Sequence, residues 1–110
     1  MTAPVVIVTG AADGIGWATA QQFAEQGGSV ALFDLNGALA AERAQALGPQ
    51  HSGWACDVND AAAVQTRVAE VVAHYGRIDT LVNNAGIADQ TVPTLAQDVT
   101  ANHIADKAQA

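Results

Sequence analysis

The chain has 110 residues, half of them apolar, a formal charge of −7 and one cysteine, Cys56. This length allows one small domain. The acidity argues against nucleic acid or an anionic membrane as partner, since both need clustered Lys and Arg, and a lone cysteine excludes an intrachain disulfide, which is compatible with a reducing, cytoplasmic setting.

Val5 to Val8 form a short, wholly apolar, largely β-branched run, suited to a strand buried on both faces of a parallel sheet. The opening MTAPVVIVTG has no basic segment of the kind that starts a signal peptide. Thr9 and Gly10 end the strand, and Gly14 and Gly16 lead into an amphipathic segment. In a strand–turn–helix setting this glycine pattern has a mechanism. Gly10 permits a tight turn, Gly14 lets a diphosphate approach the backbone, and Gly16 lets the helix pack close to the strand. The first-turn N–H groups and the helix dipole then favour an anion. The plainer reading is a loop rich in glycine with no ligand.

In the first helix Ile15, Ala18, Thr19 and Phe23 share one face, with Trp17 off that stripe, and Gly27-Gly28 marks the stop. Ser29 to Phe33 reads as a second buried strand closed by Asp34. The spacing from Gly10 to Asp34 is 24 residues, close to the roughly 20 expected of a ribose-binding acid in a βαβ unit. A carboxylate there can accept from both adenosine ribose hydroxyls and would repel a 2′-phosphate; alternatively it caps the next helix. Asn36 to Leu47 reads as an alanine-rich helix with Leu39, Arg43 and Leu47 in line, stopped by Gly48-Pro49.

Ser52 to Cys56 is a weaker third strand because of Gly53, and Asp57-Val58 follows it. Asn59 or Asp60 caps a third helix with Val64, Val68, Val71, Val72 and Tyr75 on one side, and Gly76 ends it. Ile78 to Val82 is the fourth strand, followed by Asn83-Asn84-Ala85-Gly86. Beyond it, 87–93 reads as a loop, a short helix is expected from Thr94, and the tail at 102–110 as frayed. Strands separated by helix-length segments imply a doubly wound parallel α/β sheet of about four strands in the order 3-2-1-4. Asp34, Asp57 and Asn83–Gly86 then all follow strand C-termini and line one edge.

These residues resemble the N-terminal half of the short-chain dehydrogenases/reductases, a Rossmann-type fold. The resemblance is carried by TGAADGIG at Thr9–Gly16, Asp34, CDV at Cys56–Val58 and NNAG at Asn83–Gly86, and covers about residues 4 to 101, within an expected NAD-binding half-domain at 1–101. It implies that Gly10, Gly14, Ile15 and Gly16 hold the cofactor diphosphate and that Asp34 takes the adenosine ribose. NAD is favoured over NADP, because the places where NADP-preferring members carry a basic residue hold Asp13 and Leu35. It further implies that Asp57 bonds the adenine edge with help from the Val58 backbone. Asn83, Ala85 and Gly86 would steady the fourth strand and border the nicotinamide ribose.

The family's chemistry is hydride transfer between nicotinamide and a carbonyl or alcohol carbon. It uses a tyrosine made acidic by a lysine four residues later. Here the only tyrosine is Tyr75, with Asp79 at that fourth position, and the only lysine is Lys107. No catalytic residue is assigned, and none of His51, His74 and His103 has a partner at metal-ligand spacing. The chain is expected to be inactive alone and to require the rest of an enzyme for a small-molecule substrate. Alternatives are a stand-alone dinucleotide-binding module, or a fragment that completes its sheet with a partner chain. A bare fourth-strand edge would make it prone to association.

Overall fold

A computed structural model describes residues 3–84. Ala85, Gly86, the expected loop and helix after them, and the 102–110 tail lie outside the described residues.

The elements run β1 (Val5–Thr9), α1 (Gly14–Glu25), β2 (Ser29–Asp34), α2 (Gly37–Leu47), β3 (Ser52–Ala55), α3 (Ala61–Tyr75) and β4 (Thr80–Val82). The four strands form one parallel sheet in the order β3-β2-β1-β4, as the sequence predicts. Two strands are shorter than expected. Cys56 falls just past β3, and Ile78 and Asp79 precede β4. Register pairs Thr9 with Phe33, Asp34 with Ala55, and Val8 with Val82. All four strands therefore end at one rim, and the turns that follow them meet there.

Alternation along the strands divides the core into two layers. Val5, Ile7, Ala31 and Phe33 face α3 through Val64, Val68 and Val71. Val6, Val8, Val30 and Leu32 face α1 and α2 through Ala20, Ala40 and Ala44. The two central strands are buried on both faces, which explains their unbroken apolar runs.

The buried face of α1 differs from the expected stripe. Gly16 and Ala20 are its buried residues, while Ala18 is exposed and Ile15 is 72% exposed. The helix lies so close to the sheet that small side chains win the contact positions. The same holds for α2, which buries Ala40 and Ala44. A Cβ on Gly53 would come within 2.3 Å of the Ala40 carbonyl group, and one on Gly37 within 2.6 Å of the Ala55 Cβ. Gly53 thus does not weaken β3; it is the surface on which the α2 backbone rests.

At the opposite rim His51 is buried, and its Nδ1 accepts from the Val30 N–H at 3.0 Å. Its Nε2 has no partner among the described residues. Burial lowers the imidazole pKa. The unfolded side chain takes a proton near pH 6.5, while the folded one resists it. Below that pH the unfolded state binds more protons, so stability falls as pH falls. Urea melts should show this slope between about pH 7 and 5, and His51→Gln should flatten it.

Candidate functional site

The turn after β1 has Gly10 and Gly14 in left-handed conformations, with φ of 61° and 59°. A Cβ on Gly16 would lie 2.0 Å from the Gly10 carbonyl oxygen and 2.9 Å from Asn84 Nδ2. Only glycine at 16 lets α1 start against the turn. A Cβ on Gly14 would meet nothing within 4 Å, so that side of the turn is open space.

The three helices are capped differently. Asn36 accepts from the Leu39 N–H at 3.1 Å, and Asp60 from the Ala63 N–H at 3.2 Å. Each bond goes to the third residue of its helix, as an N-cap normally does. Asp13 instead accepts from the first helical N–H, that of Gly14, at 2.8 Å. The N–H groups of Ile15 and Gly16 have no intrahelical acceptor, and the Asp13 side chain leaves them open. At α1 the first-turn N–H groups left by the cap are thus those of Ile15 and Gly16, next to the open side of the glycine turn.

Two bonds from backbone N–H groups fasten this turn to the end of β2. The Ala11 N–H donates to the Phe33 carbonyl at 3.1 Å, and the Ala12 N–H donates to Asp34 Oδ2 at 3.0 Å. The other Asp34 oxygen accepts from the Asn36 N–H at 2.9 Å. The capping role weighed for Asp34 falls to Asn36 instead, and what Asp34 has here is a brace on that residue's backbone. That brace does not exhaust the group, because a carboxylate has about four acceptor positions. The two bonds hold the plate of the carboxylate before any ligand arrives.

Gly10, Asp34, Leu35, Asp57 and Val58 line one cavity of about 150 Å3, together with Cys56 and Asn59. The α1 start, with Asp13, Gly14, Ile15 and Gly16, stands beside it through the Gly16–Gly10 contact. Ile15 and Leu35 are the exposed large hydrophobics among the described residues, at 72% and 75%. Both are at this site, where an apolar ligand surface would cover them. On the β4 side, Thr9 Oγ1 donates to Asn83 Oδ1 at 3.2 Å, tying Asn83 to the end of β1. Burial raises the thiol pKa of Cys56, which keeps it protonated. Among the described residues no cluster of His, Cys, Asp or Glu is arranged for a metal ion.

Sequence reasoning missed two members of the site. The Ala12 peptide joins the turn to Asp34, and the Arg43 Nε donates to the Ala12 carbonyl at 3.1 Å from across α2. An arginine in line with Leu39 and Leu47 reads as part of an apolar stripe, and nothing in its spacing pointed to the turn.

Tyr75 sits at the opposite rim. Its hydroxyl donates to the Gln50 carbonyl at 3.0 Å and lies 2.8 Å from Ser52 Oγ, which accepts from Trp54 Nε1. Burial pushes its pKa up. Asp79 accepts from the Val5 N–H and pairs with Arg77. Tyr75→Phe should cost roughly 1 kcal/mol of stability and leave dinucleotide affinity unaltered, checked by urea melts and calorimetry on the same protein.

The family model for short chain dehydrogenases matches residues 4–107. The chain belongs to the short-chain dehydrogenase family. D-threitol dehydrogenase of Mycolicibacterium smegmatis is 50% identical over 91 residues, covering 76% of this chain and 34% of that protein. Galactitol 2-dehydrogenase of Agrobacterium fabrum is 44% identical over 85 residues, covering 77% and 33%. The NAD(+)-dependent 2-dehydro-3-deoxy-L-rhamnonate dehydrogenase of a Sphingomonas strain is 46% identical over 88 residues, covering 79% and 34%. This family member therefore spans about a third of the length of the curated relatives it matches. The 3-ketoacyl-(acyl-carrier-protein) reductase of Brucella melitensis, solved with NADH, has the same fold. Its TM-score is 0.76 at 24% identity, over 93% of this chain and 48% of that one.

Proposed function

We propose that this chain is the cofactor-binding half of a short-chain dehydrogenase and that it takes NAD in preference to NADP. The observation that carries the reading is the Asp34 carboxylate, fixed by the Ala12 and Asn36 N–H groups at the rim where the α1 start is left open. The residues fit a dinucleotide. The Ile15 and Gly16 N–H groups suit its diphosphate, with Gly14 leaving room for close approach. Asp34 suits the two adenosine ribose hydroxyls. Asp57 and Val58, across the same cavity, suit the adenine. Ala85 and Gly86 would complete the border of the nicotinamide ribose.

The bound cofactor supplies hydride exchange with a carbonyl or alcohol carbon. This chain's own part is to bind and orient it, and to select the unphosphorylated sugar. Two carboxylates, Asp13 and Asp34, flank the turn, so a further dianionic phosphate on the ribose meets repulsion. The proton exchange that accompanies hydride transfer is not supplied here. Tyr75 is tied down at the wrong rim, so we expect no turnover from these 110 residues alone. Several relatives are named for sugar alcohols, among them D-threitol and galactitol. Polyols are therefore the substrates to assay first in an enzyme that contains this chain.

Calorimetric titration with NAD and NADP tests the reading. Binding of NAD that exceeds that of NADP supports it. Tighter NADP binding, or a dinucleotide affinity indistinguishable from zero for both, overturns it.

A further inference from the structure

We infer that Arg43 is a positioning residue for the dinucleotide site, acting through the Ala12 peptide. The inference rests on the reading of the site as a cofactor cradle, and it concerns a residue outside the glycine turn and the strand ends.

Three arginines lie among the described residues. Arg67 pairs with Glu70, and Arg77 with Asp79. Arg43 makes no ion pair within 4.0 Å among the described residues; its Nε donates to the Ala12 carbonyl instead. Its guanidinium carbon stands 5.1 Å from the centre of the Trp17 ring, within reach of a cation–π contact. Trp17 is on α1 and Arg43 on α2, so the side chain bridges the two helices over the turn.

Ala12 is thereby held from both sides of its backbone. Its carbonyl takes the Arg43 Nε, and its N–H donates to Asp34 Oδ2. Its methyl group is buried against the sheet with that of Ala11. A cation on a carbonyl polarises the amide and strengthens bonds in the chain. Arg43 therefore fixes the height of the turn above the rim and the orientation of the acid that would take the ribose. Trp17 holds the guanidinium over its ring, which gives an aromatic residue off the buried face of α1 a role.

The test uses the full 110-residue chain and NAD as probe. Arg43→Met keeps the alkyl contacts and removes both the donor and the charge, and Arg43→Lys restores the charge. We expect Arg43→Met to raise the NAD dissociation constant about tenfold, the scale of one charge-assisted bond, and Arg43→Lys to recover part of it. In an Asp34→Ala background the same Arg43 change should cost about twofold or less, because the path through Ala12 no longer ends on an acid. Amide exchange at Ala12 should quicken in Arg43→Met without ligand, while the melting temperature changes little. A tenfold effect that persists in the Asp34→Ala background, or an unchanged dissociation constant, overturns the positioning role. Wild-type protein that binds no NAD would overturn the cofactor reading instead, and the Ala12 exchange rate would still report whether Arg43 braces the turn.

Discussion

Replacing Asp34 by alanine is expected to lower NAD affinity by about ten- to a hundredfold, as removal of hydrogen bonds to a charged acceptor implies. The carboxylate is held at the end of β2 by the Ala12 and Asn36 N–H groups, so its remaining acceptor positions face the rim without further ordering. Little entropy is lost when a ribose takes them. Two effects separate in the variants. Asp34→Asn keeps one acceptor oxygen in place and removes the charge, so it should retain more NAD affinity than alanine. Both changes remove the repulsion against a 2′-phosphate, so the preference for NAD over NADP should narrow in each. A preference that survives Asp34→Ala intact would assign the choice of sugar to another group, with Asp13 the next in line.

Gly16→Ala should be the most damaging single methyl in the chain's glycine turn. The new Cβ would sit 2.0 Å from the Gly10 carbonyl oxygen. That neighbour is backbone, fixed by β1 and by the tie from Ala11 to Phe33, so it cannot swing away. We expect a loss of about 3 kcal/mol, the upper end of what overpacking costs, together with loss of dinucleotide binding as α1 is pushed off the rim. Gly14→Ala is the informative comparison. Its Cβ has open space but its φ is 59°, so conformational strain alone should cost about 1–2 kcal/mol. Urea midpoints of the two variants, measured side by side, check the order. Equal losses would mean that the contact with Gly10 relaxes without cost.

The sheet order was legible because the central strands are apolar without interruption, and such runs belong to strands covered on both faces. The cap of α3 was legible to within a residue, since Asn and Asp at a helix start have one dominant use, whereas at α2 the acid weighed as a cap was Asp34 and the cap is Asn36. The packing of α1 and α2 was not. Counting large apolar residues favours Ile15, yet the contact positions belong to Gly16, Ala20, Ala40 and Ala44. Close approach of a helix to a sheet selects small side chains, and a periodicity that weights size reads the wrong stripe. Gly53 illustrates the same blindness: a glycine in a strand reads as weakness until the helix backbone above it is seen.

The placement of the glycines and Asp34 at one rim was legible because their spacing along the chain carries the geometry. The Ala12 peptide and Arg43 were not, because their role arises from contacts between elements 31 residues apart in sequence. Tyr75 was set aside from the chemistry on its neighbours in sequence. Its hydroxyl bonds at the far rim are the stronger reason.

The most direct test follows the backbone amide resonances of the chain during titration with NAD. If the open first turn of α1 receives the diphosphate and Asp34 the ribose, the largest shifts fall on Gly10, Gly14, Ile15, Gly16, the amides beside Asp34, and Asp57-Val58. The N-termini of α2 and α3, where Asn36 and Asp60 take the third N–H, stay still. Shifts centred on those two helix starts or on the rim of His51 and Tyr75, with the turn after β1 unmoved, would contradict the account.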